Sequence, residues 1–160
     1  MPFYKSPDNA LHELDDEAFE HLLPANSVRI TEAEAAALQK PTFDEAETAA
    51  WAAIKSERDR RTEGGFKVGD KWFHSDQKSR SQQLALVLLG AGIPAGLQWK
   101  TMDGSFVTMT AALAQQLLAA AAASEQAIFA AAETHRRAME ASADPAGYDY
   151  SSGWPKVFGE

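Results

Sequence analysis

The chain has 160 residues, 45% hydrophobic and 24% charged, which suits one domain of ordinary size with at most a small appendage and excludes a disordered or membrane-like composition. It contains no cysteine, which excludes a disulfide framework, a thiolate zinc or iron–sulfur site and a cysteine nucleophile. The net charge of −8 belongs to the first third, because residues 1–50 carry three basic residues against eleven acidic ones and the remainder is balanced.

The N-terminus, MPFYKSPDNALHELDD, lacks a basic stretch followed by an apolar core, and no run approaches about 18 apolar residues without charge, so a cytoplasmic site of synthesis and no membrane partner are expected. Phe3-Tyr4-Lys5, the turn Ser6-Pro7-Asp8-Asn9 and Leu11 to Leu14 read as a short β-turn-β unit, with Pro7 suited to the second turn position. Asp15 or Asp16 caps a short helix through His21, which Pro24 ends. Val28-Arg29-Ile30 reads as a strand, and Thr31 with Glu34 forms a capping box that opens a helix to about Lys40.

Lys40-Pro41 marks a boundary: proline disfavours helix at the residue before it, and a second capping box, Thr42 with Glu45, follows at once. The spacing predicts a helix from Phe43 to about Arg61, with Phe43, Ala46, Ala50, Trp51 and Ile54 on one apolar face and Gly64-Gly65 as its stop. Gly69-Asp70 then separates Phe66-Lys67-Val68 from Lys71-Trp72-Phe73, a strong hairpin signal. A two-residue loop puts Val68 opposite Lys71, Lys67 opposite Trp72 and Phe66 opposite Phe73, so that Phe66, Val68 and Phe73 share one face and Lys67, Trp72 and His74 the other.

Ser75 or Asp76 caps the next helix, whose second half, Leu84-Ala85-Leu86-Val87-Leu88-Leu89, is too short to span a bilayer and reads as a buried core helix. Gly90 to Gly96 has three glycines, yet it follows a helix and lacks the Lys-Ser/Thr of a phosphate loop, so it is a connector. Asp103-Gly104 centres a second hairpin, with Trp99 expected opposite Thr108 and Phe106 opposite Thr101. Thr110 caps a helix from Ala111 to about Ala141, in which Leu113, Leu117, Ala121, Ser124, Ile128, Ala132, His135 and Met139 recur at helical spacing. At about 45 Å such a helix either projects from a small domain, suiting a homodimer through the long helix, or bends near Ser124. The tail YDYSSGWPKVFGE either docks on its own domain or serves a partner.

These elements make an α+β protein, mostly helical. A small acidic ββα-type appendage occupies residues 1–40, a helix–hairpin–helix–hairpin–long helix domain residues 41–143, and an aromatic tail residues 144–160.

Catalytic chemistry finds no footing in the sequence. No serine sits in a nucleophile elbow, and no two histidines stand at metal-ligand spacing, so neither an enzyme nor a metal or cofactor is expected. His74-Ser75-Asp76 reads as a strand-end histidine before a helix cap. The basic run Lys55, Arg58, Arg60, Arg61, Lys67, Lys71, Lys78 and Arg80 is interleaved with Glu57, Asp59, Glu63, Asp70 and Asp76, the pattern of a solvated, ion-paired face and not of a nucleic-acid surface. Among the tryptophans, Trp51 is expected in the core, Trp72 and Trp99 in core or interface, and Trp154 at an interface.

The run WAAIKSERDRRTEGGFKVGDKWFHSDQKSRSQQL, continuing through IPAGLQWKTMDGSFVTMT, strongly resembles an uncharacterised domain family of tailed-phage and prophage proteins whose members are commonly described as tail-fibre assembly proteins. The similarity covers about Trp51 to Glu140, and its most specific parts are RDRR…GGF and the MDGSFV segment after Trp99. Phe3-Tyr4, Leu22-Leu23-Pro24, Val28 to Thr31 and Glu34 are similar to the opening of phage tail-fibre assembly chaperones. The resemblance implies an accessory protein, without catalytic residues, that acts in the bacterial host cytoplasm and helps a tail-fibre protein fold or trimerise, through that protein's C-terminal region. The competing expectation is a structural virion component, a minor tail or fibre-tip protein that stays bound in the particle. The contact residues expected on the chain are Lys67, Trp72, His74, Tyr148, Tyr150, Trp154 and Phe158.

Overall fold

Pro7 presets the backbone for a tight turn, and the chain reverses there. Strand β1 (Phe3–Lys5) runs antiparallel to β2 (Leu11–Glu13), and Asn9 closes the turn at φ 64, with its N–H donating to the Ser6 carbonyl at 2.9 Å. A 3-10 helix over Glu17–Leu22 is capped by Asp16, which accepts from the Ala18 N–H. Strand β3 (Val28–Ile30) then adds to the other side of β1, giving the sheet order β2-β1-β3. Helix α1 (Glu32–Gln39) starts with the Thr31–Glu34 capping box. Tyr4 and Ala35 are its buried apolar residues beside the sheet, and the Tyr4 hydroxyl donates to Glu20.

The computed structural model describes every residue from Met1 to Glu160, in two compact units, Met1–Ala46 and Glu47–Glu160. Helix α2 (Phe43–Thr62) opens on the second capping box, in which Thr42 N–H donates to Glu45 at 2.8 Å, and places Ile54 at full burial. Phe43, expected on the same apolar face, is exposed.

In the second unit β4 (Phe66–Val68) and β5 (Lys71–Phe73) pair in the expected register. Only Gly69 of the loop has positive φ, 61°, as a type II′ turn requires. Asp76 caps α3 (Gln77–Leu89). The apolar half of α3 departs from its expected burial: Leu86 is buried and Val87 packs against the core, while Leu84, Leu88 and Leu89 face outward. A helix laid on one neighbour buries one stripe, and a continuous apolar run places residues on every side.

The second hairpin also departs from expectation. β6 (Gln98–Lys100) and β7 (Phe106–Thr108) pair Trp99 with Val107 and Lys100 with Phe106. The loop is three residues long: Gly104 N–H donates to Thr101 O at 3.0 Å, and Thr101 N–H donates to Ser105 O at 2.9 Å, with Gly104 at φ 83. This is a type I turn with a glycine bulge, which favours the same Asp-Gly pair. Asp103 Oδ1 holds it by accepting from the Ser105 N–H at 2.9 Å and from the Thr101 hydroxyl. The one-residue shift turns Phe106 outward.

Helix α4 (Ala111–Glu140) is continuous through Ser124 and does not project. Its first half supplies Ala114, Leu117 and Ala121 to a core with Phe66, Phe73, Leu86 and Met109. Its second half supplies Ala132 and Met139 to a core with Ile54, against which Trp51, Tyr148, Tyr150 and Trp154 pack. The tail over residues 144–160 is therefore part of the second unit, with Val157 buried.

Candidate partner-binding surface

The β4–β5 hairpin divides its side chains by strand alternation. Phe66 and Phe73 stack inward with centroids 6.1 Å apart, while exposed Lys67 lies across from half-buried Trp72. The tail reaches this hairpin because Gly64 leaves room for it. A Cβ on Gly64 would stand 2.7 Å from Val157, and the Phe158 N–H donates to the Gly64 carbonyl at 2.9 Å. The exposed Phe158 ring then meets Trp72 edge-on at 6.3 Å. Lys67, Trp72 and Phe158, far apart in sequence, thus form one aromatic and cationic patch.

The other four expected residues lie elsewhere. His74 sits by a shallow depression of 240 Å³ with Ser79, Gln98, Trp99 and Lys100, and its carbonyl accepts from Gln83 at 2.9 Å. Tyr148, Tyr150 and Trp154 gather around His135 on α4. The Tyr148 hydroxyl shares a 2.9 Å hydrogen bond with His135 Nδ1, Trp154 stacks on the imidazole at 4.9 Å, and the indole N–H donates to the Tyr150 carbonyl at 2.7 Å. The Tyr148 hydroxyl and the Trp154 indole N–H are thereby engaged inside the unit.

Arg61 fastens that arrangement and is 7% exposed. It donates to Glu57 at 2.6 Å, to the Pro155 carbonyl at 3.0 Å and to Glu160 at 3.0 Å, and its guanidinium lies 5.4 Å from the Trp154 ring centre. Sequence reasoning places Arg61 at a helix end on a solvated, ion-paired face; the ion pairs are present, but the docked tail buries the side chain. The available signal was the concentration of arginine before Gly64-Gly65 in a chain with an aromatic, acidic tail.

Ion pairs account for most of the charge around the patch. The Arg60 guanidinium, with that of Arg61, lowers Glu57 to about 2. Lys71 donates to Asp103 at 2.9 Å and to the Ser105 hydroxyl at 2.8 Å, tying the two hairpins together, and this bond raises the lysine. The hydroxyls of Ser105 and Thr101 hold Asp103 far below the usual carboxylate range. A backbone bond, Met102 N–H to Trp72 O at 2.9 Å, runs beside the pair. No three His, Asp or Glu side chains converge as a metal-binding group, and no helix is long and apolar enough to cross a membrane.

Residues 45–152 match the model of a family described as Domain of unknown function (DUF4376). The chain belongs to the DUF4376 family. The DUF4376 segment takes in α2 from Glu45 onward, both hairpins, α3, α4 and the tail as far as Ser152, so it includes Lys67 and Trp72 and stops before Phe158. No curated protein and no solved structure matches the chain.

Proposed function

We propose that this protein binds a tail-fibre polypeptide of a tailed phage, prophage or phage-tail-like particle in the bacterial host cytoplasm and aids its folding and trimerisation. The observation that carries this reading is the patch of Trp72, Phe158 and Lys67, two aromatic rings meeting edge to face beside an exposed cation. Desolvated aromatics with a nearby charge are the side chains that anchor protein interfaces. The runs that resemble tail-fibre assembly proteins frame this patch, since RDRR…GGF ends α2 and opens β4, and MDGSFV forms the turn and strand of the second hairpin.

Trimeric fibres depend on non-local β contacts, so they fold slowly and expose strand edges while they do. A partner that covers an apolar fibre segment suppresses aggregation during that interval. The reading assigns the protein no catalytic step.

The test is co-expression with a tail-fibre gene from the same genome, followed by pull-down and mass determination. Wild type is expected to yield soluble fibre trimer in a defined complex, and Trp72→Ala combined with Phe158→Ala to weaken that complex by about tenfold or more. A fibre that folds unaided and forms no complex removes the reading. Recovery of the protein from purified particles at a fixed ratio to fibre would then point to the structural virion component.

A further inference from the structure

Two buried polar side chains of the second unit line one recess. Gln83 on α3 is 2% exposed, and Ser75, just before the α3 cap, is 9% exposed. Gln83 Nε2 donates to the His74 carbonyl at 2.9 Å, which brings the carboxamide beside Ser75, the next residue in the chain. Its Oε1 accepts no hydrogen bond, and since no fully enclosed side-chain polar atom lacks a partner, that oxygen opens onto the recess that Gln83 lines. Ser75 Oγ accepts from the Gly65 N–H at 2.8 Å, and its hydroxyl proton meets no acceptor in the chain.

The recess has a volume of 420 Å³, within the span of about 300–1,000 Å³ that small-ligand sites occupy. Leu84 of α3 and Leu118 and Ala121 of α4 give it an apolar wall. Buried donors and acceptors are normally paired, so one acceptor and one donor left open beside an apolar wall define what complements them.

We infer that this recess binds one residue of an extended peptide segment that carries an aliphatic side chain. In an extended chain the N–H and C=O of one residue point to the same side. The N–H donates to Gln83 Oε1, the C=O accepts from the Ser75 hydroxyl, and the side chain lies on Leu84, Leu118 and Ala121. A carboxylate would set further acceptors against the Gln83 oxygen, and an ammonium offers no acceptor to the Ser75 proton. The rim charges do not change that choice. Arg80 is paired with Glu125 at 2.6 Å, and Glu63 is exposed, where water screens it. The recess is lined by none of Lys67, Trp72 and Phe158, so the inference does not rest on the fibre reading.

Proton–nitrogen correlation spectra of the nitrogen-15-labelled full chain, titrated with N-acetyl-leucine amide, test it, because the Gln83 side-chain amide gives its own signals. The expected result is a saturable shift of those signals and of the Ser75 N–H, with a dissociation constant on the order of 1 mM. N-acetyl-glycine amide, which lacks the aliphatic side chain, should bind about tenfold more weakly. Leu118→Trp, which fills the recess from its exposed side, should abolish the shift, while Leu88→Trp, on α3 outside the recess, should leave it intact. No saturable shift up to about 50 mM overturns the inference, and is the result expected if ordered water alone occupies the recess. Equal affinity for the leucine and glycine amides overturns it too, as do shifts that bypass Gln83 and Ser75. If Leu118→Trp loses the dispersed spectrum of a folded chain, the comparison of the two amides decides.

Discussion

Removing the Arg61 guanidinium takes a donor from three acceptors at once, Glu57, Glu160 and the Pro155 carbonyl, of which the two carboxylates still pair with Arg60. Breaking a buried pair leaves charge without compensation, and Glu57 keeps Arg60 as a second partner, so Arg61→Ala is expected at the lower end of such losses, about 3 kcal/mol. Differential scanning calorimetry should show a midpoint lower by about 10 °C. Lysine is not expected to rescue it, because the fork reaches several acceptors that a single ammonium cannot. Glu57 gives a matching pH prediction. Its folded value, about 2, lies below the unfolded value of 4.5, so its contribution is full above pH 4.5 and is lost as the pH falls toward 2. Urea unfolding across that window should show a shallower decline for Glu57→Gln than for wild type. The helix-end position of Arg61 is legible in the sequence. Its burial is not, because that depends on a tail 94 to 99 residues away.

Among the elements, the connections show what local chemistry can and cannot specify. The first hairpin is readable because Gly69 is the first of two loop residues, which admits one register. Asp103-Gly104 serves equally in a two-residue loop and in a three-residue loop with a bulge, and the choice shifts every side chain by one position. At Gly104, φ is 83° and nothing lies near an added Cβ, so Gly104→Ala reports backbone strain alone, expected at about 1 kcal/mol by chemical denaturation. Gly64→Ala tests docking of the tail, since its Cβ would press on Val157. It should leave the far-ultraviolet dichroism unchanged while trypsin cleaves after Lys156 about tenfold faster, the rate change that 1.4 kcal/mol of local opening produces. The apolar run of α3 shows a related limit: periodicity identifies the helix, but which side it buries depends on how many neighbours reach it.

For the whole chain, the α+β class and element order could be read from caps, turns and periodicity, whereas the sharing of α4 between two cores could not. A stripe of apolar residues looks the same whether it meets one neighbour or several in succession. The division after Ala46 yields a further prediction, because Thr42–Glu45 supplies α2 with its cap locally. A chain beginning at Pro41 should fold alone, with one cooperative thermal transition and the helical dichroism of α2, α3 and α4 intact. Binding through the proposed patch should survive in that fragment, since Lys67, Trp72 and Phe158 all lie in it.

The tail's return to α2 also sets a timetable for synthesis. Arg61 leaves the ribosome 94 to 99 residues before Pro155 and Glu160. At about 5–20 residues per second, that is an interval of about 5–20 s. Throughout it, the nascent α2 presents a guanidinium and the flank of Ile54 without Trp154 or Val157 to close over them. The second core is completed only when the last aromatic segment emerges, so a prematurely released chain carries an open apolar seam that proteases and holding chaperones can recognise.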